Sequence, residues 1–223
     1  MTRPCPRLCR GQPWAFRLDG IGTHAAEVAA IPQREVLSFV MEQTKDSRLF
    51  IRPRDVWLLT LSTRPRQWSK NLIIYFAFFF AINRLWDFGD LGSIGTPLVR
   101  ASAAFIVFCI ASGAIYLVND LVDLERDRTH PVKRHRPLAS GELRPRVALV
   151  GAFLLICISQ PAALLLQPWF GFIVALYMVL MATYSLLLKQ IAFLDVIAIS
   201  GGFVLRAVAG AIAIGVPISP WLY

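Results

Sequence analysis

The chain has 223 residues, 56% of them hydrophobic, and a formal net charge of +9. Its apolar runs, each about 20 residues long, exclude an ordinary soluble domain and point to helices that cross a bilayer; being continuous rather than alternating, they also exclude a β-barrel. The charge does not mark a nucleic-acid binder, because the cations follow the apolar runs: twelve of the 23 Lys and Arg precede the first run, seven lie between Asn119 and Arg146, and Lys189 follows the fourth, on the side that the positive-inside rule assigns to the cytoplasm.

Residues 1–50 mix Pro, Arg, Gly and Ala without a sustained apolar core, so they read as a leader without regular structure and not as a secretory signal. Met41 opens the stretch that leads to the membrane, and the first 40 residues are expected to be an extension of the reading frame. Cys5 and Cys9 fall in the leader and Cys109 and Cys157 in apolar runs, a scatter that defines neither a disulfide framework nor a metal site. Residues 51–70 read as an interfacial segment: DVWLLTLSTRPRQWSK alternates bulky apolar with basic residues, as a helix at headgroup level does. Anchoring is the plainer role for its cations; the more specific one sets Arg64, Arg66 and Lys70 at the rim of an anionic-substrate site.

Five candidate spans follow, near 71–86, 98–118, 147–166, 169–188 and 191–216, which predicts an all-α polytopic membrane bundle. The second leads into NDLVDLERDRTHPVKRHRP, residues 119–137. There Asp120, Asp123 and Asp127 stand three and four residues apart, on one face of a continuing helix, and Lys133, Arg134 and Arg136 come next. Carboxylates followed by cations is the composition of a metal-bridged polyphosphate site, with oxygen ligands for Mg²⁺ and positive groups for phosphate oxygens. A solvated charged loop is the plainer alternative. Ser140 and Gly141 signal a turn and Pro145 suits the first turn of the next helix, so 119–146 reads as a structured cap.

Only Gln167 and Pro168 separate the third and fourth spans, which predicts a tight antiparallel hairpin remote from any active face. The fifth span carries Asp195 and Arg206 in an otherwise apolar stretch, where a charge costs about 3 kcal/mol unless it faces protein or water. Their separation is almost three full turns, so both should lie on one stripe with Gly202 between them, while Ala207, Ala211 and Gly215 suit close helix packing. A buried ionic network that binds nothing is the alternative. Tyr184 and Lys189 precede this span at the same membrane face as the Asp120 segment, so the two polar clusters read as opposing walls of one cavity. A diphosphate leaving group fits such a cavity, because a metal ion and cations neutralise charge developing on its oxygens.

The run NDLVDLERD matches an NDxxDxxxD motif, with RPLASG after it, and in this the chain resembles the UbiA-type membrane prenyltransferase superfamily. RPRQWSKN, DRTHPVKRHRP, YSLLLK, LDV and GFVLRAVAG are similar to the branch that makes decaprenylphosphoryl phosphoribose, and the resemblance covers residues 64–223. By fold-level analogy it implies a bundle of about nine helices and roughly 300 residues, of which 71–223 would supply a partial transmembrane domain with about five helices. It implies transfer of the 5-phosphoribosyl group from 5-phosphoribosyl 1-diphosphate to a polyprenyl (decaprenyl) phosphate lipid, releasing diphosphate. Mg²⁺ would be the cofactor, and the protein would lie in the cell's inner membrane with its active face cytoplasmic. Carried over, Asp120, Asp123 and Asp127 would hold the metal, with Asn119 orienting them, while Lys133 and Arg136 would contact donor phosphates. Tyr184, Lys189 and Asp195 match a second motif, Tyr184 and Lys189 as substrate-binding residues; Asp123, Lys189 and Asp195 would be the catalytic set, and His130 reads as structural. Two alternatives stand beside this: an aromatic or haem-modifying prenyltransferase of the same superfamily, and a non-catalytic membrane fragment or scaffold. The sequence leaves the oligomeric state open.

Overall fold

The computed structural model describes residues 51–82, 84–86, 89–186 and 192–217. The expectations for the leader and for Lys189 lie outside those residues. The chain enters through α1 (Pro53–Ser62), with a proline in its first turn and the Arg52 backbone N–H donating to Asp55 Oδ2 at 3.0 Å. Arg144 Nη2 donates to the same oxygen at 2.8 Å, which ties α1 to the segment entering α5 (Pro145–Leu166). The Arg52 N–H holds the Asp55 carboxyl below its usual range; burial opposes this and Arg144 reinforces it.

A 3₁₀ helix (Pro65–Ile73) runs into the short α2 (Ile74–Phe80). Then come α3 (Leu91–Val122), α4 (Leu124–Thr129), a 3₁₀ turn at Lys133–His135, α5, α6 (Pro168–Leu186) and α7 (Ala192–Ile214). The described residues contain no strand, so the all-α reading holds. Four helices are long and apolar enough to cross a membrane, spanning Gly92–Val122, Pro145–Leu166, Pro168–Leu186 and Phe193–Ile214, and the chain is a multi-pass membrane protein.

The expected first span at 71–86 is a correction: it is not one continuous helix. The chain turns at Ala81, and the Trp86 indole N–H donates to the Phe78 carbonyl at 2.9 Å while its ring stacks on Phe78 with centroids 4.8 Å apart. Hydropathy counted Trp86 as more apolar length, whereas its polar edge closes a fold-back. The next span begins at Leu91 rather than 98, because Asp90 Oδ1 accepts from the Gly92 N–H at 3.0 Å and starts the helix early. At 32 residues α3 is about 48 Å long against ~30 Å of hydrocarbon, so it carries its last turns past the apolar layer.

The α5–α6 hairpin turns at Gln167 as expected, and Gly141 adopts φ +81° in the turn before α5. One core cluster gathers Phe108 of α3, Phe170, Val174 and Tyr177 of α6, and Ala209 and Ala213 of α7 around Ile74. α7 approaches Ile74 closely at Gly210, where a Cβ would stand 2.3 Å from the Ile74 carbonyl oxygen. On α7, Ala209, Gly210 and Ala213 make this contact; of the expected small residues Ala211 is buried, Ala207 is half-buried, and Gly215 lies beyond the helix end. Spacing alone identifies a stripe of small residues, but the neighbour's position decides which of them carries the contact.

Candidate active site

The Asp motif begins on α3 and crosses the break into α4. Asp123 is the hinge residue, with φ −90° and ψ 5°, yet Asp123 N–H to Asn119 O (2.9 Å) and Asp127 N–H to Asp123 O (2.8 Å) keep the helical phase. At 100° per residue, Asp120 and Asp127 fall within about 20° of each other, and Asp123 is rotated roughly 60° from Asp120. The three carboxylates consequently divide. Asp120 and Asp127 are 3% and 1% exposed, whereas Asp123 is half-buried and faces a cavity.

The buried pair belongs to an ion network. Arg136 Nη1 reaches Asp127 Oδ2 at 2.5 Å and Asp120 Oδ1 at 3.2 Å; Lys133 Nζ lies 3.8 Å from Asp127 Oδ1, and Arg64 Nη2 binds Asp120 Oδ1. Arg64 is the single described non-glycine residue at positive φ, 55°, and its guanidinium lies 4.9 Å from the Tyr116 ring centre. A non-glycine residue in this region costs about 1–3 kcal/mol, and here the Asp120 bond and the ring hold it in place.

These arginines reach a cavity of about 360 Å³ between α3, α6, α7 and the 3₁₀ helix. Its mouth carries Arg64, Lys70, Asn119, Asp123, Lys133 and Arg136; Ser112, Tyr177 and Arg206 lie towards its inner end. Among the described lining residues five are cations and one, Asp123, is a carboxylate, an imbalance suited to a polyanion. Of the interfacial cations, Arg64 and Lys70 line the cavity and the exposed Arg66 does not. Tyr184 also lines it and interacts with Asp195, whose Oδ1 is buried without a hydrogen-bond partner among the described residues.

Asp195 and Arg206 do not pair with each other. Arg206 is buried and takes neutral partners: Nε donates to Asn71 Oδ1 (2.8 Å), Nη1 to the Gly202 carbonyl (2.9 Å) and Nη2 to the Tyr177 hydroxyl (2.7 Å). Ser112, Tyr116, Tyr177 and Arg206 are lining residues that sequence reasoning did not assign to the site. A signal existed for two of them, since Ser112 and Tyr177 each stand two helical turns before the recognised Asn119 and Tyr184.

Among the described residues no three carboxylate, histidine or cysteine groups converge on one ion-sized point. Asp120 and Asp127 are engaged by guanidinium groups, so the structure does not bring the motif's three carboxylates together. A divalent ion still fits the donors present. Mg²⁺-like ions take one or two carboxylates and complete their shell with water and ligand phosphate, and Asp123 and Asn119 offer a carboxylate and an amide oxygen at the cavity wall.

The UbiA prenyltransferase family matches residues 91–223 of this chain. The chain is 38% identical over 165 residues to a decaprenyl-phosphate phosphoribosyltransferase of Mycolicibacterium smegmatis, covering 73% of this chain and 50% of that protein. It is 35% identical over 160 residues to the protein of that name from Mycobacterium tuberculosis, covering 71% and 51%, and 36% identical over 160 residues to that of Corynebacterium glutamicum, covering 71% and 46%. The chain thus spans about half the length of the curated relatives it matches.

Proposed function

The chain belongs to the UbiA prenyltransferase family, and from that membership and the cation-rich cavity we propose a membrane phosphoribosyltransferase that moves a 5-phosphoribosyl group from 5-phosphoribosyl 1-diphosphate to a polyprenyl phosphate lipid. The observation that carries this reading is the lining itself: five cations against one carboxylate, at the end of a membrane helix. The relatives' names supply the phosphoribosyl group and the decaprenyl phosphate. The cavity mouth faces the cytoplasm of an inner membrane in this reading, since it carries the excess of Lys and Arg.

Arg64, Lys133 and Arg136 contact the donor diphosphate, each kept in place by Asp120 or Asp127 behind it. Asp123 and Asn119 hold a divalent ion, Mg²⁺, which when bound neutralises charge on the leaving diphosphate. Asp120 and Asp127 would serve that ion indirectly, by fixing Arg64, Lys133 and Arg136. Tyr184 and Asp195 stand opposite them, and Lys189 joins the substrate-binding set from the resemblance alone. The lipid phosphate oxygen forms a bond to the anomeric carbon as the bond from that carbon to the diphosphate oxygen breaks, and the electron pair leaves with diphosphate. No general base is required, because the attacking phosphate is already anionic. Attack from the face opposite the leaving group inverts the anomeric centre.

Membranes containing the protein and given labelled 5-phosphoribosyl 1-diphosphate should form labelled lipid. Labelling from prenyl diphosphate alone would overturn the donor assignment in favour of prenyl transfer. Lys189→Ala is expected to abolish lipid labelling, and full retention removes Lys189 from the site.

A further inference from the structure

The cavity has two polar layers, and among the described residues the inner one has no counter-charge. Ser112 on α3 and Tyr177 on α6 each lie about 10 Å along their helices from Asn119 and Tyr184 of the outer layer, and Arg206 lies about 16 Å along α7 from Asp195. Ile115, Met181, Ile199 and Phe203 line the cavity with them.

Arg206 is the centre of that inner layer. It is 6% exposed, yet it lines the cavity. Guanidinium stays charged in any protein environment, and within the span of a membrane helix an uncompensated cation is costly. Among the described residues no carboxylate lies within ion-pair distance of it; its three hydrogen bonds go to neutral oxygens of Asn71, Gly202 and Tyr177. Two of its five N–H donors have no partner among the described residues. The scaffold around it is ordered: Asn71 Nδ2 donates to Ser112 Oγ at 3.2 Å and to Cys109 Sγ at 3.4 Å, which leaves Oδ1 turned to Arg206. The Tyr177 and Phe203 rings flank the guanidinium at 4.8 and 5.5 Å. The charge is held in place and solvated by neutral groups, with a face open to the cavity.

We propose that Arg206, set by Asn71 and Tyr177, is a binding site for a phosphomonoester, separate from the diphosphate contacts at the cavity mouth. A doubly charged monoester supplies the missing negative charge and accepts the remaining N–H groups in the forked geometry that guanidinium favours. This rests on the proposed reaction, in which both substrates carry such a group: the 5-phosphate of the donor and the phosphate of the lipid acceptor. The donor is extended, with diphosphate and monoester at opposite ends of the ribose, so one molecule can address both layers.

The test is binding rather than turnover. The full chain, purified in detergent, is titrated with ribose 5-phosphate, decyl phosphate and inorganic diphosphate, and its thermal unfolding midpoint is followed. Wild type should be stabilised by at least one monoester. Arg206→Gln should weaken that response at least tenfold while keeping the response to diphosphate, and Arg136→Gln should do the reverse. Loss of the ribose 5-phosphate response assigns the inner site to the donor; loss of the decyl phosphate response assigns it to the acceptor. Should Arg206→Gln fail to insert, Tyr177→Phe and Arg206→Lys make the same comparison with the helix packing retained. Wild type that responds to neither monoester, a variant that binds monoesters like wild type, or equal loss of all three ligands would overturn the proposal. Monoester binding that depends on Arg206 in a protein that forms no labelled lipid would retain the inner site and sink the transferase reading instead.

Discussion

At the cavity mouth Arg136 sits between two buried carboxylates, Asp120 and Asp127, and Arg64 and Lys133 share them. Further in, the hydrogen-bond partners of Arg206 among the described residues are an amide, a carbonyl and a phenol. Both layers hold guanidinium groups rigidly, but the first balances its charge within the protein and the second does not. A balanced network keeps cations oriented whether or not a ligand is present. An unbalanced one leaves a net charge that a ligand can neutralise, and it is preserved only because neutral dipoles solvate it. The contrast separates a layer whose charge is balanced from a layer whose charge is not.

The largest effect is expected at Asp123, the one carboxylate among the described lining residues. Asp123→Ala should lower lipid labelling by about 100-fold or more, the scale of losing a stabiliser of developing charge, while immunoblots show unchanged insertion. Activity within a few-fold of wild type would remove the metal role and leave the mouth a purely cationic site.

The charge balance itself is tested by stability. Arg136→Met removes the cation that bridges two buried carboxylates, leaving Asp120 to Arg64 and Asp127 to Lys133 at 3.8 Å, and should cost about 3 kcal/mol in detergent unfolding because the remaining cations balance the pair less closely. Arg206→Met strands only neutral groups and should cost about 1–2 kcal/mol. The opposite ranking would break the distinction between the layers.

Gly210 lies one turn beyond Arg206 and against Ile74, close to Asn71 in the chain, so it controls the spacing of the inner layer. Gly210→Ala should destabilise by about 1–3 kcal/mol through overpacking, since the obstacle is backbone rather than a flexible side chain. Gly95→Ala, with nothing within 4 Å, is the matched control and should be neutral or gain up to ~1 kcal/mol. Equal effects at both positions would show that α7 does not lean on Ile74.

The smallest effect concerns pH. Asp55 lies outside the spans, and its folded carboxyl is held below the usual value, so it stabilises above the unfolded carboxyl pKa of about 3.9 and loses that contribution as pH falls through the lower folded value. Asp55→Asn should therefore lower the neutral plateau of a stability-versus-pH curve and flatten its acid side, with little change below the folded pKa. An unaltered acid limb would mean that other carboxylates govern it.

Much of this was legible in the residues. Continuous apolar runs require helices in lipid, and Gln167 with Pro168 could only be a hairpin. The acid-then-base order at 119–137 marked the site because those residue types have few other uses at the end of a membrane helix. The expected span at 71–86 was not legible, since Trp86 scores as apolar length and its indole N–H acts only once Phe78 is within reach. Nor was the division of the Asp motif: three- and four-residue spacing places Asp120, Asp123 and Asp127 broadly together, but Arg64 and Arg136 from distant segments claim two of them.

By itself, the sequence determined the helical membrane class and the identity of the charged groups, because these follow from local composition and spacing, and its motifs carried the resemblance to the family. Which charges are balanced, and which face the cavity, only the tertiary structure decided. Asp120 is paired because Arg64 and Arg136 arrive from other elements, and Arg206 is left with neutral partners because Asn71 and Tyr177 arrive instead of a carboxylate. The free energy of a charge depends on its neighbours through space, and spacing along the chain does not carry that information.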